Sequence, residues 1–181
     1  MRNVWLVAAL LTGCTHGSDH AGRITGAPPA FSITTQLLGA SGELRGTAAL
    51  TSADGGTRAV IRVAGLVPGS YAVHLHAVGR CDAPDFTSAG PHFNPTAHQH
   101  GSLNPAGPHL GDLPNIVVDA TGSGALDAVV AGLQLTGGTA PLLDADGAAV
   151  MLHAAADDYR TDPSGNSGAR IACGVLQRRQ P

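Results

Sequence analysis

Residues 57–77 read TRAVIRVAGLVPGSYAVHLHA. Two runs with many β-branched residues, Thr57–Val63 and Tyr71–Ala77, flank a turn signal at Val67-Pro68-Gly69, which is how two neighbouring strands are punctuated. In the second run side chains alternate between faces. Val73 and Leu75 then point to a core, and His74 and His76 leave the opposite face together. Two imidazoles about 6.5–7 Å apart along a strand can reach one ion. By itself the HxH pattern is common, and the Asp-His continuation seen in zinc hydrolases is absent, since Val78 and Gly79 follow.

Working outward, the same texture repeats without helical period. Candidate strands are Phe31–Leu38, Glu43–Thr51, Asn115–Asp119, Gly124–Val130, Ala149–His153 and Ile171–Leu176, with turn signals at Ala53-Asp54-Gly55-Gly56 and Asp144-Ala145-Asp146-Gly147. Eight short strands with such turns predict an all-β antiparallel sandwich or barrel. Two stretches, Val78–Pro114 and Ala154–Arg170, carry no strand pattern. Structureless loops of that length are uncommon in compact domains and are usually functional.

Composition narrows the class. The chain has 181 residues, 43% hydrophobic and 13% charged, with a net charge of -3. That excludes a solvated disordered chain and gives no bulk attraction to nucleic acid or acidic membrane. All ten basic residues are arginine, and six of the nine histidines fall between His74 and His109.

The N-terminus reads as an address. Met1-Arg2 precedes an apolar run, Val4–Leu11, too short to span a bilayer and suited to a secretory signal. Leu11-Thr12-Gly13-Cys14 resembles the lipobox of bacterial lipoproteins. The expected organisation is a signal over 1–13, a tether over 14–29 after a lipidated Cys14, and one domain over 30–181. His16 and His20 lie in the tether, as solvated residues or as auxiliary metal ligands. If Cys14 carries lipid, Cys81 and Cys173 remain as an even pair in an oxidising compartment, where a disulfide is the expected state.

The long loop holds His92, His100, His109 and Asp112 within 21 positions. Three imidazoles and a carboxylate suit a tetrahedral zinc ion. His98 competes with His100, and spacing alone does not choose between them. His153 ends a late strand. With His74, His76 and a fourth imidazole from His92 it makes a four-nitrogen set suited to Cu(II). One imidazolate ring, His92, can serve both ions through its two nitrogens.

The runs Gly65-Leu66-Val67-Pro68-Gly69, His74-Leu75-His76, Ser88-Ala89-Gly90-Pro91-His92-Phe93-Asn94-Pro95, His109-Leu110-Gly111-Asp112-Leu113-Pro114-Asn115 and Gly165-Asn166-Ser167-Gly168-Ala169-Arg170-Ile171-Ala172-Cys173-Gly174-Val175 together resemble the copper–zinc superoxide dismutase family. The resemblance covers about residues 31–177. It implies an eight-stranded Greek-key barrel and disproportionation of superoxide to dioxygen and hydrogen peroxide, with copper and zinc as cofactors. It implies copper on His74, His76, His92 and His153, and zinc on His92, His100, His109 and Asp112, with His100 chosen over His98. It also implies that Asp157 ties His74 to His100, that Cys81 and Cys173 form the disulfide, and that Arg170 guides the anion. Arg170 has an alternative role as a structural donor to the loop carrying Cys81. Arg160 is a candidate for longer-range steering, opposed by Asp157, Asp158 and Asp162. His92 would also carry a proton. The expected setting is the periplasmic side of a bacterial envelope, with membrane contact only through the anchor. Relatives include monomers and dimers, so a homodimer is an open expectation. The competing function is a non-catalytic copper- or zinc-binding envelope lipoprotein on the same barrel.

Overall fold

The computed structural model describes residues 30–178. The expected signal and tether, with Cys14, His16 and His20, lie outside the described residues. Nine strands follow in order: β1 (Ser32–Gly39), β2 (Leu44–Ala53), β3 (Gly56–Val63), β4 (Gly69–Tyr71), β5 (Val73–His76), β6 (Ile116–Val118), β7 (Gly124–Ala131), β8 (Ala148–His153) and β9 (Arg170–Leu176). All ladders are antiparallel, and a short 3-10 turn spans Thr87–Ala89.

The sheet order is β4-β6-β7-β3-β2-β1-β9-β8-β5. Its first and last strands are consecutive in the chain, separated only by Ala72, so one kinked segment closes the sheet into a barrel. Sequence reading expects a single strand over Tyr71–Ala77. The structure splits it because its two halves serve different partners: β4 pairs with β6 and β5 with β8. At the switch, Ala72 N–H donates to Ala155 O at 2.8 Å, and Ala72 O accepts from His153 N–H at 2.9 Å. Counted as one, the two halves restore the expected eight strands. Strand β3 pairs with β7 rather than with the β4 that follows it, which gives the Greek-key crossing.

Most strands bury one face. In β3, Thr57, Ala59, Ile61 and Val63 are buried while Arg58 and Arg62 are exposed. Strands β5 and β8 are buried on both faces. Inside the barrel, Val73, Leu75, Val150 and Leu152 join the main core. On the outer side, Ala149, Met151 and Cys173 pack with Phe86 and Ala89 of the loop over residues 77–115. The histidines thus leave the barrel core as expected, but into a covered layer rather than solvent. Cys81 and Cys173 are disulfide-bonded across 92 positions, fixing that cover to β9.

Candidate metal centre

Register decides which side chains share the covered face. His74 lies opposite Met151 and His76 opposite Ala149, so His153, two residues after Met151, joins the two imidazoles of β5. The loop then lies along the free side of β5. Phe93 N–H donates to Leu75 O and Leu75 N–H donates to Gly111 O, both at 2.8 Å. These bonds set His92 beside His76 and Asp112 beside His74. The His92 ring lies with its centroid 3.9 Å from His74, 5.0 Å from His76, 5.2 Å from His100, 5.5 Å from His109 and 6.2 Å from His153.

Four of the five surrounding rings, all but His109, have the remote nitrogen fixed. His74 Nε2 pairs with Asp157 Oδ2 at 3.0 Å, and His100 Nε2 pairs with Asp157 Oδ1 at 2.9 Å. His76 Nδ1 donates to Gly90 O at 2.8 Å. His153 Nδ1 lies 3.1 Å from Ser167 Oγ and 3.3 Å from Gly168 O. A carbonyl only accepts, so in His76 and His153 the proton is on Nδ1 and Nε2 is bare.

The near nitrogens are left over. His74 Nδ1, His76 Nε2, His153 Nε2, His100 Nδ1 and His109 Nδ1 are buried without a hydrogen-bond partner. An unsatisfied buried polar group costs about 1–3 kcal/mol, so five in one cluster need lone-pair acceptors, which is what metal ions are. One group within mutual reach is His74, His76, His92 and His153; a second is His74, His92, His100 and Asp112. Asp112 Oδ2 accepts from Gly101 N–H at 2.9 Å and His109 N–H at 3.0 Å. Its Oδ1 faces the Nδ1 atoms of His92 and His100 at 3.0 Å and of His109 at 3.2 Å. Ligands about 2.0 Å from a tetrahedral ion stand about 3.3 Å apart. The donors around Asp112 therefore have the spacing of a tetrahedral zinc site.

The electrostatics agree. Burial, above all, pushes His76 down to about 2, His153 to about 3 and His74 to about 4, so these rings are neutral donors. Burial also lowers His109. At His100 burial opposes the charge, but Asp112 and Asp157 outweigh it and raise the ring to about 9. Burial would raise both carboxylates, yet hydrogen bonds hold them well below the usual range. The facing rings of His100 and His92 act on Asp112, and hydrogen bonds with His100 and His74 act on Asp157.

The remaining sequence candidates separate. His100 is wholly buried, whereas His98 is exposed with Nδ1 3.2 Å from Pro108 O. Arg170 donates from Nη1 to Phe86 O at 2.7 Å and from Nη2 to Gly90 O at 2.8 Å. Arg160 is exposed and reaches Leu103 O at 3.4 Å. Asp157 is consumed between two imidazoles, and Asp162 Oδ1 accepts from His100 N–H at 2.6 Å. Asp158 is spent on the loop, accepting from Arg160 N–H at 2.9 Å and Thr161 N–H at 2.8 Å. Sequence reasoning missed Gly90 O, Ser167 and the clamp on Asp157. In that clamp, the Asn115 amide donates to Asp157 O at 2.9 Å and accepts from Asp157 N–H at 2.8 Å. A backbone carbonyl leaves no mark in sequence; Ser167 and Asn115 lay inside motifs already quoted.

The copper/zinc superoxide dismutase family model matches residues 44–176. A copper–zinc superoxide dismutase of Aquifex aeolicus is 40% identical over 155 residues, 81% of this chain and 92% of the relative. A superoxide dismutase-like protein from Bacillus subtilis has a solved structure with TM-score 0.76 and 42% identity, covering 80% of this chain and 97% of that one. The Cu/Zn superoxide dismutase from Brucella abortus gives TM-score 0.64 and 30% identity over 81% and 99% of the two chains. With barrel, disulfide and paired donor sets in agreement, the chain belongs to the copper/zinc superoxide dismutase family.

Proposed function

We propose that His74 Nδ1, His76 Nε2, His92 Nε2 and His153 Nε2 hold copper, and that His92 Nδ1, His100 Nδ1, His109 Nδ1 and Asp112 hold zinc. The chain is an oxidoreductase that converts two superoxide anions and two protons into dioxygen and hydrogen peroxide. The observation that carries the ligand assignment is the set of five buried, unpartnered imidazole nitrogens around His92. His74 falls within reach of both groups, but its Nε2 is committed to Asp157. It has one nitrogen to offer, so His109, close to the same Asp112 oxygen, completes the zinc set.

Copper, when bound, supplies one-electron exchange with superoxide, and zinc, which is not redox active, supplies charge and order. The residues do the rest. His92 Nε2 would hold copper or a proton, not both at once; the proton it takes when released would go to the forming peroxide, and solvent would supply the second. Arg170 spends two of its five donors on Phe86 and Gly90, which leaves a permanently charged guanidinium to attract a small anion. Arg160 adds a weaker attraction from the loop surface. Asp157 holds the rings of His74 and His100 in one orientation.

The disulfide supports an oxidising compartment, read as the periplasmic side of an envelope. The lipobox-like Leu11–Cys14 supports a lipid anchor at Cys14. The test is metal content and superoxide disproportionation on one purified sample. About one copper and one zinc per chain with activity, lost in His153→Ala and kept in His98→Ala, is expected. Metal without activity after copper is added back would leave a metal-binding protein, and activity surviving His153→Ala would overturn the ligand set.

A further inference from the structure

We propose that Ser167 is a positioning residue of the copper half-site: its hydroxyl takes the Nδ1 proton of His153, fixes the ring and strengthens Nε2 as a donor. The inference rests on the reading above, in which His153 Nε2 is a copper ligand.

Ser167 is 1% exposed. A buried hydroxyl is costly without a partner, and the side-chain partner of this one among the described residues is His153 Nδ1, at 3.1 Å. Gly168 O also accepts that proton, fixing it on Nδ1, but at the longer distance of 3.3 Å. The hydroxyl is therefore the nearer hold on the ring. The three copper-side imidazoles of β5 and β8 differ in this respect. A backbone carbonyl holds His76 and a carboxylate holds His74, while at His153 a neutral side chain is the nearer of two partners.

The loop is built to deliver it. Gly165, Asn166 and Gly168 adopt left-handed backbone, with φ of 63°, 51° and 74°, which turns Ser167 inward. Asn166 is held there by its amide, which donates to Asp158 Oδ2 at 2.9 Å and Thr161 Oγ1 at 3.1 Å. Ser167 O accepts from Ala155 N–H at 2.9 Å. One loop thus supplies Asp157 to His74 and Ser167 to His153. An acceptor on the remote nitrogen raises the basicity of the ligating one, and its loss typically costs about 10–100-fold in affinity. A stronger nitrogen donor favours Cu(II) over Cu(I).

The test is Ser167→Ala in the full-length chain, titrated with a copper(II) salt and separately with a zinc salt. The expected result is Cu(II) affinity weakened about tenfold, an altered Cu(II) electron paramagnetic resonance spectrum and a higher copper reduction potential. Zinc affinity should stay unchanged, and the unfolding midpoint of the metal-free chain should fall by no more than the loss of one hydrogen bond implies. Ser167→Thr, which keeps the hydroxyl, should restore the spectrum. Unchanged Cu(II) binding and spectrum in Ser167→Ala would overturn the proposal. So would a parallel fall in zinc affinity and metal-free stability, which would make Ser167 merely structural. His153→Ala is the control: if it leaves the Cu(II) spectrum intact, the ligand assignment fails and this inference with it. If only Ser167→Ala leaves it intact, the assignment stands.

Discussion

His76 and Arg170 meet on one atom. The carbonyl oxygen of Gly90 accepts from His76 Nδ1 at 2.8 Å and from Arg170 Nη2 at 2.8 Å. The orientation of an inner imidazole and the place of the guanidinium are thus set by the same peptide, one residue before Pro91-His92. The two roles read for Arg170 in the sequence are joined here. The contacts to Phe86 and Gly90 hold the loop that carries Cys81, and the same contacts fix where the charge sits.

Arg170→Ala should accordingly do two things. Losing two charge-assisted hydrogen bonds from a half-buried group should lower stability by roughly 2 kcal/mol. Binding of a small anion probe such as azide to the copper-loaded protein should weaken several-fold, because the fixed charge is gone. Arg170→Lys keeps charge but not the two-pronged grip, so it should recover part of the anion binding and little of the stability. Equal recovery of both would contradict this division.

Asp157→Asn is nearly isosteric, yet its amide can accept from only one of the two imidazoles that the carboxylate now satisfies. Affinity for both copper and zinc should fall about 10–100-fold, read by competition with a chelator. Gly165→Ala should act on the same pair. Its backbone φ is 63°, and a Cβ there would run into the Asp157 carboxylate and crowd His100 Nε2. Overpacking of this kind costs about 1–3 kcal/mol. If Gly165→Ala binds zinc as tightly as the parent chain, the loop yields more than this packing implies.

The disulfide closes a span of 92 positions, worth roughly 4–5 kcal/mol in the chain-entropy account. Reduction, or Cys81→Ser, should lower the denaturant midpoint of the metal-free chain by a corresponding amount. It should also free the cover over Met151 and Ala149, so cleavage by a protease should appear first within residues 77–115. First cleavage elsewhere would show that the loop has other anchors of equal strength.

For the metal-free chain the sign of the pH dependence follows from the five shifted imidazoles, of which His109 is lowered with His74, His76 and His153. His76, His153 and His74 are depressed to about 2, 3 and 4. Their contribution is present above the unfolded value near 6.5 and is lost as pH falls toward the folded values. His100 is raised to about 9, so its contribution is present below about 6.5 and is lost as pH rises through 9. Stability should therefore peak near neutrality and fall on both sides. Urea midpoints between pH 5 and pH 9, in the presence of a chelator, should trace that peak. A monotonic trend across the range would show that one side of the balance is missing.

Much of the site was legible because its residues carry chemistry in the side chain and sit at strand or motif spacing. His74 and His76 share a face by strand geometry alone. The cluster from His92 to Asp112 announces itself by density. The choice between His98 and His100 was not legible from spacing. It is made by Asp157, which comes from a loop 57 positions away in sequence and buries one of the two. The split at Ala72 was invisible for a similar reason, since the same extended backbone pairs with β6 before it and with β8 after it. Gly90 O acts through the main chain, which every residue possesses and no residue type marks.

The closure through Ala72 has a consequence for solubility. An unpaired row of backbone donors and acceptors is a template for another chain, and on β5 that row is capped by Phe93 and Gly111. Those caps are neighbours of His92 and Asp112, so the groups that hold the ions also hold the strip of chain over the open side of the strand. Removing the ions leaves five imidazole nitrogens without hydrogen-bond partners beneath that strip. In a chain stripped of metal those two backbone bonds alone would stand between β5 and a second copy, so occupancy of the centre adds to the cover over that edge.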